Sequence, residues 1–262
     1  MARVRLDQLL MDRGLASSRA AAQSMILAGE VELEGGGRTL KPGNPVDPDA
    51  AVTVRTAPRW ASRAGDKLEA ALDAFAVRAH GKVALDAGAS TGGFTDVLLS
   101  RGMARVYAVD VGRGQLIDRL RRDPRVVSME RTNLRTLDGL PEPIDLATLD
   151  LSFISLRLVL AVVRRLLRPD GAVIALVKPQ FEAGRAAVPR GGVIRDPATH
   201  AAVLRQFAAD AATSGFGVHA LMRSPITGTD GNVEFLAHLA KPPGMTPKAL
   251  ERLIERLATP SG

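Results

Sequence analysis

The sequence predicts an α/β protein in which a mainly parallel sheet carries helices on both faces, preceded by a small α+β module. From Ala64 onward, strand-like apolar runs alternate with helical stretches, which is the pattern of a parallel sheet. A glycine-rich loop at residues 88–93 joins the first of these strands to a helix. The first 60 residues instead contain two helices followed by short strands.

The small module has helical periodicity in residues 5–13 and again in residues 19–27. Alternating strand-like patterns follow at 31–34 and within 45–54. Two helices and short strands in fewer than 60 residues form a compact module of their own.

The domain boundary is predicted from a change of pattern. We expect a first domain at residues 1–56 and a second at residues 64–262. The segment between them, residues 57–63, contains the single Trp of the chain and a Pro, and is interpreted as a linker.

The elements of the second domain follow in order. Helices are predicted at 65–79, 94–101, 114–122, 155–167, 197–214 and 246–257. Strands are predicted at 82–86, 105–110, 125–129, 144–150, 171–178, 217–223 and 232–239. The last two strands have no helix between them, which predicts an antiparallel hairpin at one edge of the sheet. The glycine-rich loop at 179–197 is long enough to suggest a function.

Composition limits the function classes. The chain has 262 residues, 46% of them hydrophobic, and a formal net charge of +7, most of it outside the first 60 residues. This balance favours a polyanionic partner only weakly. Cysteine is absent, which excludes disulfides, thiolate metal sites and a cysteine nucleophile. The four histidines lack ligand spacing, so no metal is expected.

The chain shows no membrane or secretion signal. No apolar run approaches the roughly 20 residues of a membrane helix, and the N-terminus lacks the apolar core of a signal peptide. We therefore expect a cytoplasmic protein without a membrane partner. The sequence does not decide the oligomeric state, and a monomer is the simplest expectation.

The first strand ends define a candidate nucleotide site, because ligands of parallel sheets bind at the carboxyl ends of the strands. Asp86 ends the first strand and is followed by a G-x-x-x-G-G loop. This spacing matches neither the dinucleotide-binding G-x-G-x-x-G nor a P-loop, so a ligand without a pyrophosphate is favoured. Asp110 is positioned to hold a ribose diol and Asn133 to pair with an adenine edge. Together they predict an adenosine with a short polar tail.

The later strand ends, Asp150 and Lys178, indicate proton chemistry. A lysine that closes a buried strand is unusual, because its charge costs desolvation energy unless it is paired. One interpretation is a structural ion pair; the other is a lysine held to accept or steer a proton. Lys67 and Glu234 are candidates to complete the group. Without a thiolate, and with D-L-S-F in place of the Asn/Asp-Pro-Pro-aromatic motif of amine methylation, an oxygen nucleophile remains.

Several motifs resemble one family throughout most of the chain. D-A-G-A-S-T-G-G-F-T, E-R-T-N, D-L-S-F-I-S-L, L-V-K-P-Q-F-E and G-N-V-E are similar to the TlyA (hemolysin A) family of FtsJ-like methyltransferases, in the family's order. The resemblance implies a Rossmann-like methyltransferase fold with seven strands, one of them reversed, and an S4-like RNA-binding domain in front. It implies 2′-O-methylation of cytidine in ribosomal RNA, 16S, 23S or both, with S-adenosylmethionine (SAM) as the methyl donor.

The resemblance also implies roles for individual residues. The catalytic group falls on Lys67, Asp150, Lys178 and Glu234, with Lys178 as the central base or proton-steering residue. The SAM contacts fall on Asp86, Gly88, Ser90, Gly92, Gly93, Phe94, Asp110 and Asn133.

The partner implied is ribosomal RNA or a ribosomal subunit. In the small domain we expect four arginines, Arg3, Arg5, Arg19 and Arg38, to contact phosphates, although the near-neutral charge of this domain also allows a protein-only docking role.

Three other functions remain open from the sequence. They are a haemolytic or membrane-active protein, a nucleotide-binding redox enzyme, and an RNA-binding ribosome-assembly factor without activity. The missing G-x-G-x-x-G argues against the redox enzyme, and the complete lysine–carboxylate group argues against the assembly factor.

Overall fold

The protein is described by a computed structural model, which covers residues 3–16, 18–27, 31–33, 40–54, 59–184, 187–228 and 230–259. The chain divides into two compact units, Met1–Arg59 and Trp60–Gly262.

The smaller unit is an α+β module. Its elements are β1 (Val4–Arg5), α1 (Leu6–Asp12), α2 (Arg19–Leu27), β2 (Val31–Leu33), β3 (Pro45–Val46) and β4 (Val52–Val54). Strand β1 pairs with β3 and β2 with β4, both antiparallel. The helices lie where the periodicity predicts them, whereas β1 was not predicted because two residues are too few for a detectable alternation. The apolar faces of α1 and α2 form the core of this unit with Val31 and Val46.

The predicted linker differs from the structure. Of residues 57–63, the stretch 60–63 belongs to the larger unit, while 57 and 58 lie outside the described residues. Trp60 is buried in the core of the larger unit, and the Ala61 N–H donates to Asp96 Oδ2 at 2.9 Å. The Trp read as a linker residue is therefore a core residue, because a large apolar side chain is stabilised by burial.

The larger unit alternates strands and helices. Its strands are β5 (Val83–Ala87), β6 (Arg105–Val109), β7 (Val126–Met129), β8 (Ile144–Leu149), β9 (Leu167–Val177), β10 (Gly217–Arg223) and β11 (Phe235–Ala240). Its helices are α3 (Ala64–Ala74), α4 (Gly93–Ser100), α5 (Asp118–Arg121), α6 (Leu160–Leu166), α7 (Pro179–Glu182), α8 (Pro197–Thr213) and α9 (Pro247–Ala258).

Seven strands of the described residues form one sheet in the order β10-β11-β9-β8-β5-β6-β7. Strands β9, β8, β5, β6 and β7 are mutually parallel, and β11 is antiparallel to both of its neighbours. This confirms the predicted sheet and the antiparallel hairpin at its edge. The strands are strongly apolar because helices cover both faces.

Two apolar layers hold the helices on the sheet. One layer packs α6, α8 and α9 against one face, and the other packs α3, α4 and α5 against the opposite face. The predicted helix at 114–122 shortens to α5, and the predicted strand at 232–239 begins only at Phe235. Within the described residues, no helix has both the length and the apolar character to cross a membrane.

Candidate active site

The carboxyl ends of four strands place the predicted polar residues at one edge of the sheet. Strands β5, β6, β8 and β9 end at Ala87, Val109, Leu149 and Val177. Because these strands are parallel and in register, Gly88, Asp110, Asp150 and Lys178 follow at the same edge.

A cavity of about 360 Å³ opens at this edge. Its lining includes Gly88, Ser90, Val109, Asp110, Val111, Gln115, Thr132, Asn133, Leu134, Asp150, Ser152 and Phe153. A mainly apolar wall with a few polar groups is typical of a small-molecule pocket of this size.

The glycine loop approaches the backbone of β8 closely. Gly88 has φ +83°, and a Cβ at this position would lie 2.2 Å from the carbonyl oxygen of Asp150. Only glycine fits, because an added side chain would face both a left-handed backbone and a clash. The sequence motif shows that a glycine stands here but not why glycine is required.

Asp110 connects the glycine loop to the loop after β6. Its Oδ2 accepts the Ser90 N–H at 2.8 Å, and its Oδ1 accepts the Gly112 N–H at 2.7 Å. Ser90 itself has φ +47°, an uncommon backbone for a non-glycine residue. Asp110 therefore shapes the loop as well as lining the cavity.

Asn133 lines the same cavity and begins the short 3₁₀ turn Leu134–Thr136. Its Oδ1 accepts the Arg135 N–H at 3.0 Å, as a helix-capping side chain does. In the described part of the chain its amide nitrogen has no partner, which leaves a donor for a ligand.

Asp86 does not contact the cavity, contrary to its predicted place among the cofactor contacts. Its carboxylate is fully buried beneath the loop, where it accepts from the hydroxyls of Thr95 at 2.6 Å and Thr148 at 3.0 Å. Burial raises the pKa of Asp86 to about 6. The side chain supports the loop from below, because this strand residue projects between the sheet and α4.

Gly92, another predicted cofactor contact, also does not line this cavity. It has φ +102°, and a Cβ there would meet the Leu120 and Leu116 side chains at 2.3 and 2.7 Å. A larger side chain there would disturb apolar packing and backbone, so this glycine is required by packing. Gly93 and Phe94 instead line a second cavity.

This second cavity has a volume of about 220 Å³ and shares Gly88, Ser90, Asp150 and Ser152 with the first. Lys178 lines it as well. The Lys178 Nζ lies 2.6 Å from Asp150 Oδ1 and donates to Ser152 Oγ at 3.0 Å. The contact with Asp150 is an ion pair without hydrogen-bond alignment, so Oδ1 accepts no hydrogen bond from the described residues.

The second lysine–carboxylate pair joins residues 167 positions apart. Lys67 Nζ, on α3, donates to Glu234 Oε2 at 2.5 Å, and both side chains are buried. Glu234 directly precedes β11, whose Phe235 pairs with Val177, so Glu234 and Lys178 occupy the next opposed positions. The structure therefore brings all four predicted catalytic residues to one edge of the sheet.

The predicted arginines of the smaller unit have different surroundings. Arg5 and Arg19 both bind the buried carboxylate of Asp7 and remain half exposed. Arg3 is exposed, and Arg38 lies outside the described residues. The cluster around Asp7 holds the pKa of that carboxyl well below its usual range, chiefly through the Arg5 hydrogen bonds.

Some residues of the site were not predicted. Ser152 and Phe153 follow Asp150 directly, so the strand-end argument could have found them; Phe153 is 91% exposed at the cavity mouth. Ser62 lines the second cavity, where its Oγ lies 2.3 Å from a Cβ built on Gly93. No sequence signal indicates Ser62, because it comes from the segment before α3. Among the described residues, no cluster of histidine or acidic side chains could hold a metal ion.

Comparisons with known proteins agree with this geometry. The FtsJ-like methyltransferase family matches residues 60–241. The Bacillus subtilis protein YqxC, provisionally named an rRNA methyltransferase, is 50% identical over 91% of this chain and 86% of its own length. The 16S/23S rRNA (cytidine-2′-O)-methyltransferase TlyA of Mycobacterium tuberculosis is 44% identical over 97% of both chains.

A solved structure supports the fold over nearly the whole length. A Streptococcus thermophilus protein, provisionally named a hemolysin, has a TM-score of 0.74 and 41% identity, covering 98% of this chain and 96% of its own. The matched residues contain both cavities and both lysine–carboxylate pairs. The chain thus belongs to the FtsJ-like methyltransferase family.

Proposed function

We propose that the protein is a SAM-dependent methyltransferase that modifies the 2′-hydroxyl of cytidine in ribosomal RNA. The observation that carries the proposal is the juxtaposition of an adenosine-sized cavity with two lysine–carboxylate pairs at the same strand ends. The Mycobacterium tuberculosis relative named for this reaction covers 97% of the chain, and the Bacillus subtilis relative, named for rRNA methylation without a target atom, covers 91%.

The first cavity fits the cofactor. The close approach at Gly88 and the Ser90 loop leave room for the amino-acid portion, Asp110 faces the ribose, and the Asn133 amide can donate to adenine. When bound, SAM supplies a methyl group on a positively charged sulfur. Asp86 contributes indirectly by supporting the loop.

The chain's own residues handle the proton of the ribose hydroxyl. Lys178 Nζ, in the second cavity, takes up or steers this proton as the oxygen attacks. Asp150, at 2.6 Å, stabilises the resulting ammonium. Glu234 accepts a hydrogen bond from the ribose, and its pairing with Lys67 keeps its carboxylate in place. Burial of these pairs strengthens their electrostatic interactions.

Methyl transfer to 30S and 50S subunits from a strain lacking this gene tests the proposal. Lys178→Ala is expected to lower the rate by about 10²–10⁴ while leaving SAM binding measurable by titration calorimetry. Lys248→Ala, an exposed lysine on α9, is the matched control and should transfer at the wild-type rate. Wild-type protein that forms no 2′-O-methylcytidine, or a fully active Lys178→Ala variant, contradicts the proposal.

We further propose that the smaller unit is an S4-like RNA-binding domain. Arg3, Arg5 and Arg19 then contact phosphates, and the protein works in the cytoplasm on ribosomal subunits. The half-exposed guanidinium groups around Asp7 support this, since each keeps donors facing solvent. RNA binding that does not weaken with salt would contradict it.

Hemolysin names on similar proteins, the Streptococcus thermophilus structure among them, keep a membrane activity as a second candidate. It predicts leakage of dye from phospholipid vesicles by the purified protein without nucleotide. Absence of leakage at concentrations that saturate methyl transfer removes this candidate.

A further inference from the structure

Asn232 is a buried polar residue that the reaction does not use. Its side chain is 1% exposed and lies two residues before Glu234. The Nδ2 group donates to the carbonyl oxygen of Gly192 at 3.0 Å, and Oδ1 accepts the Ile194 N–H at 3.0 Å. Asn232 therefore commits both polar groups to the backbone of a loop that is about 40 residues away in sequence.

A second side chain holds the same loop. His200, on α8, contacts the Ile194 carbonyl oxygen through Nε2 at 3.1 Å, and since that oxygen only accepts, Nε2 carries the proton. The apolar side chain of Ile194 is itself buried. Three hydrogen bonds and one buried side chain thus fix the segment 187–196 on the larger unit.

This fixed loop presents cations to solvent. Arg190 and Arg195 are exposed and form no ion pair with the described residues. The neighbouring carboxylate, Asp196, is occupied in capping α8, where it accepts from Ala198 and Thr199 N–H groups. Both arginines line an open cavity of about 480 Å³. Among the residues that line this cavity, the two arginines outnumber the one acid, Asp196, whose carboxylate is hydrogen-bonded to the start of α8, so the loop surface is basic.

The anchor also places this surface relative to the chemistry. Two residues of backbone separate Asn232 from Glu234, which span at most about 7 Å. Glu234 in turn pairs with Lys67 and lies opposite Lys178. A polyanion whose reacting ribose occupies the second cavity would pass this loop with neighbouring phosphates.

We propose that the loop 187–196 is a docking surface for the ribosomal RNA backbone beside the target ribose, and that Asn232 is the positioning residue that holds its arginines there. The inference rests on the proposed RNA substrate. Arginine suits the role because its guanidinium matches phosphate geometry with paired donors. These contacts position the RNA and leave base recognition to other residues.

The test compares binding of ribosomal subunits by two charge-matched double variants of the full chain. Arg190→Gln/Arg195→Gln removes the loop cations, whereas Arg78→Gln/Lys248→Gln removes two exposed cations at the amino edge of the sheet. Both are expected to keep wild-type SAM affinity. The loop variant should bind the subunits about tenfold more weakly and reduce the slope of log K against log salt by about 1–2. The control should change neither.

Asn232→Ala tests the positioning role. It should weaken subunit binding in the wild-type background and have little further effect in the Arg190→Gln/Arg195→Gln background, because it acts through those arginines. Additive losses would contradict this role, and SAM titration verifies that the variant is folded. A variant that does not fold contradicts the assignment of Asn232 to the position of this loop alone, and the two double variants then decide the docking surface.

The outcomes separate the two proposals. Wild-type protein that methylates subunits, together with a loop variant that binds like the control, overturns the docking surface and leaves the reaction intact. Wild-type protein that binds subunits through the loop but transfers no methyl group overturns the reaction instead.

Discussion

Asp86→Asn tests whether this strand-end residue supports the glycine loop or contacts the cofactor. The carboxylate is fully buried between Thr95 and Thr148, and burial raises its pKa from 3.8 to about 6. At 1.36 kcal/mol per pKa unit, ionised Asp86 lowers the stability of the folded protein by about 3 kcal/mol at neutral pH. Asparagine has the same shape, can hydrogen-bond both hydroxyls and has no charge to bury.

The sign of the pH dependence follows from the raised pKa. Between pH 3.8 and about 6 the folded protein binds this proton more tightly than the unfolded chain, so the contribution of Asp86 to stability falls as pH rises. Asp86→Asn has no carboxyl at this position and therefore lacks this pH-dependent contribution to stability. We expect Asp86→Asn to gain up to about 3 kcal/mol on wild type at pH 7–8 and to lose that advantage near pH 4.

The assay is urea unfolding followed by tryptophan fluorescence. Trp60 is the single tryptophan of the chain and is buried in the larger unit, so it reports on this unit alone. SAM affinity, measured by calorimetry, should stay within a factor of about three of wild type. Stability curves that run parallel with pH for variant and wild type would refute the raised pKa of the buried carboxyl. A large loss of SAM affinity in the folded variant would refute the assignment of Asp86 to loop support.

Three further predictions concern the loop, the buried pair and the smaller unit. Gly88→Ala should weaken SAM binding, measured by calorimetry, more than tenfold, because its Cβ would lie 2.2 Å from a backbone oxygen. The control Gly114→Ala, at a position with positive φ but open space, should cost only about 1–2 kcal/mol of stability in urea unfolding. Equal results for the two variants in both measurements would contradict the clash. Glu234→Ala should lower the free energy of unfolding in urea by about 3–5 kcal/mol, because it leaves Lys67 buried and unpaired. The double variant Lys67→Met/Glu234→Leu should recover stability but not methyl transfer. Recovery of methyl transfer would show that the pair has no role in the reaction. Asp7→Ala removes the hydrogen bonds from Arg5 and should destabilise the smaller unit by about 1.5–3 kcal/mol in unfolding followed by circular dichroism. The unfolding transition of the larger unit, followed by tryptophan fluorescence, should stay unchanged. A shift of that transition would argue against separate units.

The sequence by itself determined the succession of strands and helices along the chain and the mainly parallel direction of the strands, whereas their order in the sheet came from the structure. Strand–helix alternation forces parallel strands, and parallel strands bring their carboxyl ends to one edge, so Asp110, Asp150 and Lys178 could be grouped from their positions alone. The hairpin of β10 and β11 followed in the same way from the missing helix. The family resemblance, which rested on short motifs around these strand ends, is confirmed by the family match to residues 60–241.

Only the tertiary structure decided where individual side chains point and what they meet. Strand position alone does not say whether a side chain faces a ligand or the interior, and Asp86 turned out to face two threonine hydroxyls. The letters of the motif do not say which glycine is required by a ligand loop and which by packing, and Gly92 faces leucines. Lys67 and Glu234 were candidates from the sequence, but their direct pairing across 167 positions is visible only in the structure. The anchoring of a basic loop by Asn232 likewise joins residues far apart in the chain, and no local pattern indicates it.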